Sequence, residues 1–211
     1  KIHDNLRKKI IEVPFYKSID GFIVTFDVHL EIDWMSPQLG KLEALYPQKL
    51  IDKLTEECLK TKRQVKINNE SFLILDARYL ILYLALHFFH HNYQGAFRLE
   101  FLDKIIRACH PDRSGGISLK GFLGHARNDN RVTWEQMAQT IKEYRLQNFV
   151  YPAFVLLKKY YQTPIPNAFL KSIQQNGSVK TDPYIKNINI FDDAPRVRAG
   201  INRFKNLFFL S

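Results

Sequence analysis

From Phe26 to Trp34 apolar and polar residues alternate without a break. Phe26, Val28, Leu30, Ile32 and Trp34 fall on one side, and Asp27, His29, Glu31 and Asp33 on the other. Strict period-two alternation predicts a half-buried strand, running from about Gly21 to the Met35-Ser36-Pro37 break. Its polar side is a row of three carboxylates and an imidazole at intervals of about 7 Å. Like charges at that spacing repel, so such a row needs cations, basic side chains or water beside it.

The remaining pattern is mostly helical. Ile2 to Val13 reads as a short charged helix stopped by Pro14. Lys41 to Lys60 carries apolar residues at helical spacing, with a break at Pro47. Gln64 to Ile67 and Ser71 to Ile74 are short β-prone runs about Asn68-Asn69, which predicts a hairpin. Asp76 is a suitable N-cap for a helix from Ala77 to about His91 whose apolar residues run nearly all round, the mark of a buried helix. Phe97 to Cys109 is amphipathic, and 111–116 is a loop. Thr133-Trp134-Glu135-Gln136 reads as a capping box opening a helix to about Arg145. Asn148 to Tyr161 and Asn167 to Gln174 follow, separated by Pro164 and Pro166. After Gly177 the chain is irregular to Ala194, and Arg196 to Leu210 reads as a last helix, basic on one side and apolar on the other. The expected class is α+β, mainly helical, with an N-terminal β segment followed by a helical domain that carries a small hairpin. No internal repeat or low-complexity segment is evident.

Composition narrows the classes. The net charge of +10 favours phosphates and other polyanions as partners. Cys58 and Cys109 stand far apart, which argues against a disulfide scaffold or a zinc ribbon and fits a reducing cytoplasm. The most apolar stretch, Phe72 to Phe89, is interrupted by Asp76, Arg78 and His87, so no membrane span is expected. The chain opens on Lys1, and a segment upstream is expected to be missing.

Several groups could carry chemistry. His87, His90 and His91 share a helix at i, i+3 and i+4, where two could meet a metal, although a third ligand is wanted. Asp112 to Ser118 superficially resembles the end of a calcium loop but fails its register at either glycine. Arg98 and Asp103 could form ion pairs between helices, or Arg98 could face a phosphate. The basic residues Arg196, Arg198, Arg203 and Lys205 could bind nucleic acid, but aromatic interleaving for base stacking is not evident on that helix face. Asp27 with Glu31 and Asp33 is the strongest group: carboxylates along a strand are how phosphoryl-transferring enzymes hold divalent ions. Against it stands a plain exposed face whose acids pair with Lys and Arg.

Asp27-Val28-His29 resembles the Asp-x-His strand motif of a bacterial nucleotidyltransferase-like family. Tyr83-Leu84-Ala85-Leu86-His87 after Asp76, Arg98-Leu99-Glu100-Phe101-Leu102-Asp103, Val132-Thr133-Trp134-Glu135 and Pro164-Ile165-Pro166 follow in the family's order. The resemblance implies that residues 1–36 end a nucleotidyltransferase-like α/β domain, with the strand at the edge of its sheet. Residues 37–176 would then form a helical domain, and 177–211 an irregular segment with a terminal helix. It implies Mg²⁺-dependent transfer of a nucleotidyl group from an NTP to an unknown acceptor. Asp27 would be the catalytic acid and metal ligand, with His29 and Arg98 on the nucleotide. The family's Gly-Ser or Gly-Gly turn and Asp-x-Asp pair do not precede Asp27, and Leu30 stands where Trp is expected. The resemblance therefore implies a fragment or a degenerate relative. The alternative is a non-enzymatic helical module that binds or regulates through an acidic partner.

Overall fold

The computed structural model describes residues 12–29, 48–67, 70–109, 132–174 and 185–191. The chain divides into two compact units between Glu57 and Cys58. The architecture is mixed α+β and rich in helix, as the pattern predicts. The expected domain boundaries at 36/37 and 176/177 lie outside the described residues, as do the 111–116 loop and the terminal helix at Arg196–Leu210.

The first unit contains a hairpin of β1 (Glu12–Ile19) and β2 (Phe22–His29), paired antiparallel with Ile19 opposite Phe22. Only Asp20 and Gly21 connect the strands, and both have positive φ, +50° and +82°. A two-residue turn with both central residues in that region matches the right-handed twist of the strands, and Asp-Gly is a favoured pair for it. The register groups Val13, Phe15, Lys17 and Ile19 with Val28, Phe26, Val24 and Phe22 on one face. Glu12, Pro14, Tyr16 and Ser18 meet His29, Asp27, Thr25 and Ile23 on the other. Instead of stopping a helix, Pro14 sits inside β1, and Glu12 and Val13 are strand. The missing N–H of Pro14 is tolerated because a two-stranded sheet has only edges. Among the described residues β2 pairs with β1 alone, and Leu30 to Trp34, the second half of the alternating stretch, lie outside them. Next, α1 (Gln48–Lys60) starts directly after Pro47, the expected break.

In the second unit β3 (Arg63–Ile67) and β4 (Glu70–Ile74) form the expected hairpin. Asp76 accepts from the backbone N–H of Arg78 at 3.0 Å and pairs with the guanidinium of Arg63, tying β3 to the start of α2 (Ala77–His90). Helix α2 is apolar nearly all round and becomes the central helix. Ile81, Leu82, Ala85, Leu86 and Phe88 are fully buried where it packs on α3 (Ala96–Cys109) and α5 (Gln147–Tyr161). The turn after α2 places Asn92 and Tyr93 at φ +56° and +57°. That left-handed geometry is costly for a bulky residue but drops the Tyr93 ring into the core. There its hydroxyl donates to the carbonyl of Phe149 at 2.9 Å.

The capping box at Thr133 forms as predicted: Thr133 Oγ1 accepts from the Gln136 N–H and Gln136 Oε1 accepts from the Thr133 N–H. It opens α4 (Trp134–Glu143), which packs on α5 and on α6 (Asn167–Ile173). Trp134, Phe154 and Phe169 form an aromatic contact among these helices, with 4.6 Å between the ring centres of Trp134 and Phe169.

A buried carboxylate closes the second unit. Asp103 of α3 is 8% exposed. Its two oxygens share the single Nε–H of Arg107, each at 2.9 Å, and one of them accepts from the hydroxyl of Thr163 at 2.6 Å. Arg107 also donates to the carbonyl of Tyr161 at 2.8 Å, and the Tyr161 hydroxyl donates to the carbonyl of Ala96 at 3.1 Å. These bonds hold the C-terminus of α5 and the turn after it, where Gln162 takes φ +50°, along the whole length of α3. Charge-assisted bonds of this kind contribute about 1.5–3 kcal/mol each, and removing one partner strands the others. Asp103→Ala is therefore expected to lower unfolding free energy by about 3 kcal/mol in urea denaturation. Thr133→Ala, which loses only a cap, should cost about 1 kcal/mol. Equal small effects would show that Asp103 does not hold the helices together.

Candidate functional site

The residues singled out from sequence fall in different units. Asp27 and His29 lie in β2, on one face, with Pro14 opposite Asp27 and Glu12 opposite His29. By register Glu12, which the pattern predicts in a helix, is a strand residue on the same face as Asp27. Glu31 and Asp33 lie outside the described residues. Arg98 belongs to the second unit, in the first turn of α3.

Arg98 stands where three segments converge. The N–H of Gly95 donates to the carbonyl of Ile190 at 3.0 Å, which fastens residues 185–191 to the start of α3. Tyr161, through Ala96, brings the end of α5 to the same place. Burial, with Glu100 and Asp103 nearby, holds the Tyr161 phenol above its ordinary value, so it remains a donor. Gly95 suits this position because its φ is +90°, a conformation that side-chain-bearing residues rarely adopt. The Arg98 guanidinium lies over the ring of Phe97, 4.4 Å from its centre.

The surface around this junction combines exposed rings with cations. Phe97 is 64% exposed, Phe191 67% and Phe101, one turn on from Phe97, 42%. Phe191 meets Tyr160 edge to face at 5.8 Å, and the Lys159 ammonium lies 4.6 Å from the centre of the Tyr160 ring while donating to the carbonyl of Lys186 at 2.7 Å. The hydroxyl of Tyr160 donates to the carbonyl of Ile188 at 2.9 Å. Helices α3 and α5 with residues 185–191 hold six cations, Arg98, Lys104, Arg107, Lys158, Lys159 and Lys186, against two carboxylates. Both carboxylates are engaged: Glu100 by Lys104 at 2.6 Å, which raises the Lys104 ammonium above its ordinary value, and Asp103 by Arg107. Asp103 thus pairs within its own helix, not with Arg98.

The other sequence candidates take structural places. His87 stacks on Tyr83 at 5.8 Å and meets His91 edge to face at 4.6 Å, with His90 at 6.2 Å. Among the described residues no group of three or more His, Cys, Asp or Glu is arranged to hold a metal ion. A groove of about 900 Å³ runs between α4 and α6, lined by Trp134, Ala138 and Phe169 with Glu135, Lys142 and Glu143 at its sides. Its charge is opposite in balance to the α3–α5 surface. Among the described residues no helix is long and apolar enough to cross a membrane. No protein-family model, curated protein or solved structure matches the chain.

Both cysteines are buried. Burial, reinforced by Asp76 and opposed by Arg63, pushes the Cys109 thiol from an ordinary 9.0 to about 11. A thiol that ionises later in the folded chain than in the unfolded one stabilises the fold fully below pH 9.0 and loses that contribution as pH rises to about 11. The stability advantage of the natural chain over Cys109→Ala should accordingly shrink across this window. Native Cys109 should also resist thiol reagents at pH 8 until the chain unfolds; rapid native-state labelling would contradict its burial.

Proposed function

We propose that this chain is a binding module whose helical unit engages an acidic partner. The observation that carries the reading is local: where α3, α5 and residues 185–191 meet, six cations stand against two carboxylates, with Arg98 and Lys159 beside exposed rings. The two acids offset Lys104 and Arg107, so the net positive charge of these elements comes from Arg98, Lys158, Lys159 and Lys186. A surface of this kind attracts a polyanion, and screening by salt weakens the attraction.

The reading predicts that the full chain binds a labelled heparin fragment or polyglutamate at low salt, and that raising salt from about 50 to about 200 mM weakens binding at least tenfold. Lys159→Gln should lower the affinity with no loss of stability. Absence of binding to either polyanion at low salt would contradict the reading.

A second reading, Mg²⁺-dependent nucleotidyl transfer from an NTP, is supported by the placement of Asp27 and His29 on one face of β2. In that reading Asp27 would hold the cation, which would neutralise phosphate charge. NTP turnover by the full chain with Mg²⁺ should fall at least a hundredfold in Asp27→Asn; unchanged turnover would remove Asp27 from any such chemistry.

A further inference from the structure

Resting on the acidic-partner reading, we infer that the partner is a single-stranded nucleic acid, seated on the surface formed by Phe97, Arg98 and Phe101 of α3, Lys159 and Tyr160 of α5, and Phe191. A folded acidic protein or a sulfated polysaccharide would need the cations alone. The rings call for something more. Phe97 and Phe191 are each about two-thirds exposed, as Tyr16 and Phe22 are in the β1–β2 hairpin. Each stands beside a cation held against a ring: Arg98 over Phe97, and Lys159 over Tyr160, which in turn abuts Phe191.

The segments that carry the two exposed rings are joined by the bond from Gly95 to Ile190, two residues from Phe97 and one from Phe191. Flat apolar rings alternating with cations are the combination that unpaired bases and their phosphates recognise: bases stack on aromatic faces, and phosphates take the charges. A duplex keeps its bases stacked on one another and offers no free face to a ring. The positions are also held firmly. Gly95 is fixed by its bond to Ile190, Ala96 by the Tyr161 hydroxyl, and the Tyr160 hydroxyl by Ile188. The rings are therefore presented by a rigid junction, and stacking on them requires no ordering of loops.

The test uses the full chain and the fluorescence anisotropy of a labelled oligonucleotide of about twelve nucleotides, within the range bound by small single-strand modules. The same sequence as a duplex and a labelled heparin fragment serve as competitors at matched salt. The single strand is expected to bind more tightly than either. If Arg98 and Lys159 each neutralise one phosphate, log affinity should fall with log salt at a slope of about −1.4. Phe97→Ala with Phe191→Ala should weaken single-strand binding at least tenfold, at about 1–3 kcal/mol per stacked base, and change heparin binding less than twofold. Phe97→Tyr, which keeps the ring, should retain the affinity. Heparin binding that equals or exceeds single-strand binding, or double-alanine losses equal on both ligands, would overturn this inference and leave the acidic-partner reading standing. Failure to bind both ligands would overturn the two together.

Discussion

The second unit depends on one buried negative charge. Asp103 is stable inside because two donors meet it, the Nε–H of Arg107 shared by both its oxygens within α3 and the hydroxyl of Thr163 beyond the end of α5. Its position fixes more than itself. Arg107 reaches on to Tyr161, Tyr161 to Ala96, and the backbone at Gly95 to Ile190. The chain of bonds therefore runs from the middle of α3 to both of its neighbours and ends at its N-terminus, where Phe97 and Arg98 emerge. The same network that closes the fold also sets the geometry of the candidate binding surface. At the other end of α5, Tyr93 performs a similar task, its buried ring and hydroxyl joining the α2–α3 turn to the start of α5.

The helical part of the fold was largely legible in the sequence, because its signals are local and redundant. The all-round apolar run at 77–90, the Asp76 cap and the Thr133–Gln136 box each name an element by itself. The first unit was harder. Reading Pro14 as a helix stop hid β1, although Asp20-Gly21 between two β-prone runs is a strong hairpin signal and would have exposed it. Without β1 there was no register, and so no way to place Glu12 on the Asp27 face.

The candidate surface was hidden for a different reason. Arg98 was visible as a cation that could face a phosphate, but its setting is tertiary. Phe97, Tyr160 and Phe191 come from three segments, and amphipathic spacing gives no sign that Phe97 and Phe101 of α3 stay exposed instead of joining the core. Asp103 and Arg98 are five residues apart, hence about 140° apart around a helix, so they serve separate ends: one closes the interior and the other marks the surface. Charge tells the same story at larger scale. The groove between α4 and α6 is flanked by Glu135 and Glu143, whereas α5 carries Lys158 and Lys159 with no acid at all. A net charge of +10 by itself says only that polyanions are attracted; the pairing of Arg98 and Lys159 with rings at one junction gives that attraction a candidate place.

Photo-crosslinking measures that place directly. A single-stranded oligonucleotide carrying a photoreactive base, bound to the full chain and mapped by peptide mass spectrometry, is predicted to label Phe97, Tyr160 or Phe191 and their immediate neighbours, with labelling suppressed by high salt. Crosslinks confined to other segments, such as the 12–29 hairpin or the groove between α4 and α6, would contradict the account.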